Sequence, residues 1–484
     1  MDSIKQLERI FNPRSVAVVG ASASPDKMGY MCVGNLLELG YKGRVYPVNP
    51  GLAQLFGLKA YPSLSAIPGE VDLAMVVIPA ELALAAVEEC AAKGVKGIIL
   101  VSGGFREVGT KVGARLQSKL KDIADKAGIK IIGPNTLGFI NPKAKLNASF
   151  QYTLSLSRPG NVGVAAQSGG ATIYTVHALT NQNVGVSKAV GLGNRCNLDF
   201  DEVVGYFGQD KDTEVIALYI EGLEEPRKLL NAARKVAKRK PIIVYKVGRG
   251  EGVEKSTLSH TGTLAGNYQY YQAAFRQAGM ITVDSIGELV DKSKALALQR
   301  AAGGNRIALF SVQAGPAIIM ADKCHDLGLK LAQFSPTTKR KLKRLSSSLN
   351  AVSNPVDVAW TSDDFDASRQ MLKAVLADEG VDAVVVAAVF YNSNMELMRA
   401  VVDVAQDAKK PMVVCLDSPK GTAYAEIDAL ESSGVPVFPL PERAVSAMAG
   451  LVKYGKVLEK IGGGGGIRTH GPSVEGQRFS RPSP

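Results

Sequence analysis

Along most of the chain, short runs of β-branched and other apolar residues alternate with segments of helical apolar spacing, and this alternation constrains the fold most. A strand that is apolar at successive positions is buried on both faces, as in a parallel sheet covered by helices. In the first third the runs are Ser15–Val19, Arg44–Val48, Leu73–Ile78, Gly97–Val101 and Ile129–Ile132, with helical patterns such as Ala80–Ala92 between them. A second set comprises Val162–Ala166, Val184–Val190, Ile216–Ile220, Ile242–Lys246 and Met280–Val283. A third comprises Arg306–Ser311, Ala383–Val389, Met412–Leu416 and Val435–Phe438. Breaks at Ser157–Gly160 and Ala301–Asn305 lead us to expect an α/β chain with units at 1–145, 158–300 and 306–460. Residues 461–484, which begin with the run Gly462–Gly466 and lack periodicity, are expected to form a disordered tail.

Composition narrows the function. With 46% hydrophobic residues the chain has ample apolar mass to fold, and its 50 glycines follow no repeat, which excludes a collagen-like rod and points to glycine-rich loops. The net charge of +12 is spread along the sequence; it suits small anionic ligands and does not predict nucleic-acid binding. The densest basic run, Lys339–Arg344, reads as the solvated end of a helix. The five cysteines, Cys32, Cys90, Cys196, Cys324 and Cys415, are scattered and form no C-x-x-C pair, so no disulfide framework and no metal site are expected. Met1–Gln6 has no apolar signal core, and no uncharged stretch is long enough to span a bilayer. A cytoplasmic protein with no membrane partner is therefore expected.

The first strand ends in Val19-Gly20-Ala21-Ser22, followed by Pro25, Lys27 and Gly29 before a helix. Small residues at such a turn let the backbone approach a phosphate, and the helix N-terminus attracts its charge. The dinucleotide pattern G-x-G-x-x-G is absent, and the end of the second strand, Tyr46-Pro47-Val48-Asn49-Pro50, lacks the acid that NAD ribose requires. An NAD-dependent dehydrogenase is thus a poor fit. A nucleotide other than NAD, or a Rossmann-like scaffold without ligand, remains open. Ile78-Pro79, Ser102-Gly103 with Phe105, and Asn135 in Gly133-Pro134-Asn135 fall at further strand ends, where open α/β sheets bind ligands.

In the second set, Gln167-Ser168-Gly169-Gly170 follows a strand and opens a helix, a natural phosphate cradle. The glycine-rich stretch from Val247 to Gly266 holds His260 within Ser259-His260-Thr261-Gly262, and a neutral imidazole can attack phosphorus or an acyl carbon. Glu221, in Tyr219-Ile220-Glu221-Gly222, suits two roles: orienting that imidazole, or serving as a charge at a helix N-terminus. His177, His325 and His470 have no polar group placed to assist them. In the third set, Gln313-Ala314-Gly315 opens another helix and is either a second phosphate cradle or a structural turn.

Asn12–Ala17, Gly20-Ala21-Ser22, Tyr46–Pro50 and Gly133–Gly138 together resemble the coenzyme A-binding domain of the NDP-forming acyl-CoA synthetases, in the succinyl-CoA synthetase superfamily. Asn354-Pro355-Val356-Asp357 and Gly315-Pro316-Ala317 resemble its third domain, although the family typically has Gly-Pro-Gly at the latter. The resemblance covers roughly residues 8–460 and implies a Rossmann-like CoA-binding domain followed by two flavodoxin-like domains. It implies CoA as substrate, His260 as the phosphorylated histidine and Glu221 as the residue that orients it. It further implies the α subunit of an ADP-forming acid–CoA ligase, with ADP/ATP and Mg2+ on a partner ATP-grasp β subunit, in an α2β2 assembly. Acyl-CoA and phosphate are the implied small-molecule partners. A non-catalytic CoA-binding or nucleotide-sensing protein with a vestigial histidine is the alternative.

Overall fold

The computed structural model describes residues 3–249, 268–347, 352–390 and 395–462. The chain divides into two compact units, Met1–Val290 and Asp291–Pro484. The first opens with α1 (Ser3–Phe11), which buries Leu7, Ile10 and Phe11. Then come β1 (Ser15–Val19), α2 (Met28–Glu38), β2 (Arg44–Val48), a small hairpin of β3 (Gln54–Leu55) and β4 (Leu58–Lys59), β5 (Leu73–Val76), α3 (Ala80–Lys93), β6 (Gly97–Leu100), α4 (Lys111–Ala127) and β7 (Lys130–Ile132). The strands form a parallel sheet in the order β2-β1-β5-β6-β7. The order reverses between β1 and β5, which opens a crevice at their carboxyl ends.

The next two strands, β8 (Gly138–Asn141) and β9 (Leu146–Ser149), cross the position where the sequence reading ends the first unit, and they belong to a second sheet. That sheet continues with β10 (Pro159–Ala166), α5 (Gly169–Asn181), β11 (Val186–Gly191), α6 (Phe200–Gln209), β12 (Val215–Ile220), α7 (Pro226–Val236), β13 (Ile242–Lys246), α8 (Tyr268–Gln277) and β14 (Ile281–Val283). Its order is β14-β13-β12-β10-β11-β8-β9, parallel except for the β8–β11 and β8–β9 pairs. Here the reversal falls between β10 and β12, the strands that precede Gln167 and Glu221. Phe11 stacks on Tyr206 at 5.0 Å and meets Phe139 edge-on at 5.0 Å, so one aromatic cluster ties α1 to α6 and β8.

The second unit begins within α9 (Ile286–Leu298), at Asp291. It comprises β15 (Arg306–Ser311), α10 (Ala314–Asp326), β16 (Lys330–Leu331), α11 (Pro336–Leu345), β17 (Val356–Asp357), α12 (Phe365–Leu376), β18 (Ala383–Val389), α13 (Met395–Ala405), β19 (Met412–Asp417), α14 (Tyr424–Ser432), β20 (Val437–Phe438) and α15 (Pro441–Gly462). All its strand pairs are parallel, in the order β16-β15-β18-β19-β20 with β17 also beside β15. Phe310, Met371, Val384, Val401 and Val414 lie in its core, each fully buried side chain contributing about 1.5–3 kcal/mol. The boundary lies ahead of Ala301–Asn305 because Asp291 takes both guanidinium donors of Arg443, at 2.8 and 2.6 Å. Gln299 likewise donates to the Gly434 carbonyl at 2.6 Å. The run Lys339–Arg344 lies on α11 with its basic side chains exposed and Leu342 turned inward, as the sequence reading expects. No described helix is long and apolar enough to cross a membrane.

Candidate functional site

The two sheet crevices of the first unit open onto one cavity of about 720 Å3. On the first-sheet side it is lined by Gly20, Ala21, Ser22, Lys27, Asn49, Ile78, Pro79, Ser102, Gly103 and Asn135, ten of the twelve residues expected to hold CoA. The turn after β1 is fixed from several directions. The Gly20 and Ala21 backbone amides donate to the Val48 carbonyl at 3.0 and 3.2 Å, and the Asn49 side chain donates through Nδ2 to the Ala21 carbonyl at 2.7 Å. Gly20 has φ +92°, and a Cβ there would stand 2.3 Å from the Val77 carbonyl oxygen. A Cβ on Gly29 would meet the Gly20 carbonyl at 2.0 Å, so α2 abuts the turn as no larger residue permits.

Two expected residues lie elsewhere. Val48 sits in β2 with its side chain buried in the core, and only its carbonyl serves the turn. Phe105 is fully buried beneath its own loop, packed in the core of the first sheet. Both belong to the support of the site and do not line it.

The second-sheet side of the cavity carries Gln167, Ser168, Gly169 and Gly170, together with Ile173, Gly193 and Asn194. Ser168 caps α5, its hydroxyl accepting from the Ala171 amide at 3.3 Å, so the first-turn amides of Gly169 and Gly170 face the opening of the helix. Gln167 is buried, and its side-chain carbonyl accepts from the amides of both Glu221 and Gly222 at 3.1 Å. That pair of hydrogen bonds from backbone fixes the amide plane and leaves its buried Nε2 without a hydrogen-bond partner among the described residues. An oriented, unspent donor beside a helix N-terminus is a receptor for an anion.

Glu221 follows β12 and is buried. The helix after it, α7, begins at Pro226 with Glu225 as its cap, so Glu221 lies ahead of the helix and not in its first turn. Burial, and then the Glu221 carboxylate, push the Tyr219 hydroxyl far above its ordinary pKa. His260 lies outside the described residues, as does the whole stretch 250–267. His177 lies in α5 and bonds Thr153 at 2.9 Å, His325 lies in α10, and His470 is outside the described residues. Gln313, Ala314 and Gly315 do open a helix, α10, in the other unit. Ala317 is helical there, so its replacement of the family glycine needs no positive φ.

Sequence reasoning missed the network that joins the two walls. Glu107 accepts from the Gly104 and Phe105 amides at 2.6 and 3.2 Å with one oxygen, and from the Asn194 side chain at 2.5 Å with the other. The Asn194 amide donates to the Pro134 carbonyl at 2.9 Å, and Arg106 bonds both the Asn194 carbonyl and Glu224. Four loops are thereby locked together, Glu107 and Asn194 meeting across 87 residues of sequence, with only the small residues Gly193-Asn194 as a signal.

Domain profiles accord with this arrangement: a CoA-binding domain matches residues 14–142 and a succinyl-CoA ligase-like flavodoxin domain matches residues 159–296. The chain thus joins a CoA-binding domain to a succinyl-CoA ligase-like flavodoxin domain of the α/β class. ADP-forming acetate–CoA ligase I of Archaeoglobus fulgidus is 38% identical over 94% of this chain, which spans 64% of that relative's length. The α subunit of ADP-forming acetate–CoA ligase II of Pyrococcus furiosus is 36% identical over 95% of this chain and 99% of its own. The acetyl-coenzyme A synthetase 1 of Ca. Korarchaeum cryptofilum, solved with phosphate and ADP, superposes with a TM-score of 0.87 at 32% identity, covering 96% of this chain and 99% of that one. The chain belongs to the family of ADP-forming acid–CoA ligases and corresponds in extent to their α subunit.

Proposed function

We propose that this chain is the α subunit of an ADP-forming acid–CoA ligase that interconverts acyl-CoA, ADP and phosphate with acid, CoA and ATP. The observation that carries the reading is the single cavity whose one wall is the β1 turn and whose other is the α5 N-terminus with the oriented Gln167 amide. The first wall suits CoA and the second suits phosphate. In this reading the domain built on the first sheet binds CoA, and the proposed domains 1–145, 158–300 and 306–460 hold with β8 given to the second sheet and Asp291–Leu298 to the second unit.

An oxygen of inorganic phosphate attacks the thioester carbonyl; the C–O bond forms, the C–S bond breaks, and CoA leaves as the thiol after taking a proton. A ring nitrogen of His260 then attacks phosphorus and the carboxylate departs, with Glu221 holding the other ring N–H. The helix amides and Gln167 stabilise the charge that develops on the phosphoryl oxygens. Phosphohistidine passes its phosphoryl group to ADP, which is bound with Mg2+ on an ATP-grasp β subunit in an α2β2 assembly. The protein works in the cytoplasm.

The test mixes this chain with a β subunit of the family, acetyl-CoA, ADP, Mg2+ and phosphate. ATP is expected to appear in step with free CoA, and only when both chains are present. Tight CoA binding with no ATP formation would refute the enzyme reading and favour a CoA sensor.

A further inference from the structure

Lys246 is the last residue of β13, where the chain leaves the sheet beside Glu221. Its side chain is fully buried, the most costly placement for a lysine. The ammonium donates to the Glu221 backbone carbonyl at 2.8 Å and to the carbonyl of Val247. It also lies 4.9 Å from the centre of the Tyr271 ring on α8. These partners are two carbonyl oxygens and a ring face, and none of them carries a full negative charge. A neutral side chain would fill the same space without the desolvation cost, so the charge itself calls for a purpose.

That purpose is found at the edge that Lys246 supports. The carbonyl it grips belongs to Glu221, and the amide of the same residue is held by Gln167. The backbone of Glu221 is therefore clamped from both sides, by a donor on β13 and an acceptor after β10. We propose that Lys246 is a positioning residue for phosphoryl transfer, fixing the Glu221 backbone and supplying the buried positive charge that offsets an arriving phosphate. This rests on the reading that the Gln167–Glu221 edge receives phosphate. An anion brought beside the Glu221 side chain, whose charge already acts on Lys246, needs a compensating cation in a dry site.

The charge is poised to be lost in alkali. Burial lowers the Lys246 pKa from 10.5 to about 8, against the opposing pull of Glu221. Among the described residues the other titratable groups near it are Tyr219 on the neighbouring strand β12, Tyr245 beside it on β13 and Tyr271 on α8. Further out, Arg249 pairs with Asp284 at 2.9 Å and stacks toward Tyr245 and Tyr268.

The test follows the rate at which the intact chain takes up label from acetyl-CoA and radiolabelled phosphate in one turnover, from pH 6 to pH 10. In the unaltered chain the rate is expected to fall as pH rises through the Lys246 transition. Lys246→Met should lower the neutral-pH rate by roughly 10- to 100-fold, the scale of one buried compensating charge, and abolish that alkaline limb. Lys246→Arg, which keeps the charge at all these pH values, should retain more activity than the Met variant and push the limb upward. Unfolding midpoints of both variants separate this from loss of fold, and CoA affinity should stay within about twofold, since Lys246 is not on the CoA wall. A Met variant as fast as the unaltered chain, or an Arg variant with the same alkaline limb, overturns the proposal and leaves the ligase reading standing. An unaltered chain that takes up no label overturns both.

Discussion

Gln167 does two jobs with one amide, and two substitutions can separate them. Gln167→Leu removes the acceptor of the Glu221 and Gly222 amides, leaving two buried N–H groups unpaired. At about 1–3 kcal/mol for each orphaned group, the first unit should lose about 2–6 kcal/mol of stability. At about 2 °C per kcal/mol for a unit of this size, its unfolding midpoint should fall by about 4–12 °C. Gln167→Glu keeps an oxygen facing those amides but exchanges the donor Nε2 for a second oxygen. Its midpoint should stay close to that of the unaltered chain. Its KM for phosphate should rise by about 100-fold or more, because like charges brought together in a dry site cost several kcal/mol. CoA affinity should be nearly unchanged in the Glu variant. Differential scanning fluorimetry and initial rates at varied phosphate read both effects. A Leu variant that melts like the unaltered chain, or a Glu variant with an ordinary KM for phosphate, refutes the dual role.

Other outcomes follow from the same coordinates. Glu107→Ala frees the Gly104 and Phe105 amides and the Asn194 side chain, so the CoA affinity measured by calorimetry should weaken by about tenfold, with about 1.5–3 kcal/mol lost in stability; unchanged CoA binding contradicts the network's role. Burial raises all five cysteine pKa values from 9.0 to about 12. The folded chain therefore keeps protons that the unfolded chain gives up, and stability should fall as pH rises from about 9 toward 12. Lys246 works the other way between about 8 and 10.5, as do Lys240 and Lys410 below 10.5, but Tyr41, Tyr206, Tyr219 and Tyr454, all raised by burial, act with the cysteines. Urea midpoints at pH 8 and 10.5 check the sign, and a midpoint that rises contradicts it.

Much of the fold is legible because parallel strands are buried on both faces and so stand out as unbroken apolar runs. Ser15–Val19, Arg44–Val48, Ile242–Lys246, Arg306–Ser311 and Ala383–Val389 have the same bounds in sequence reading and structure. The antiparallel pair β8–β9 was invisible for the opposite reason. Its Asn147 and Ser149 are polar yet fully buried, satisfied by each other at 2.6 Å and by Asn35 donating to the Ser149 carbonyl at 2.8 Å. No local pattern announces a strand whose polar groups find partners 114 residues away.

The candidate site is legible where a loop ends a strand and opens a helix: Gly20–Ser22 and Gln167–Gly170 line the cavity. Proximity in sequence does not give direction. Val48 serves the β1 turn only through its carbonyl, and Phe105 is buried in the core while Ser102 and Gly103 line the cavity. Glu107, Asn194 and Lys246 escaped notice because their meaning lies in contacts between separate loops. A lone charged residue at a strand end or in a turn is ordinarily solvated, and only its burial shows otherwise.

The central claim is that His260 carries the phosphoryl group between the acyl phosphate and the nucleotide. Incubating the intact chain with acetyl-CoA and radiolabelled phosphate, then mapping the label by peptide mass spectrometry under alkaline conditions, tests it directly. The account predicts one acid-labile, base-stable phosphate on His260 and none on the His260→Ala variant. Equal acid-labile labelling of that variant would contradict it.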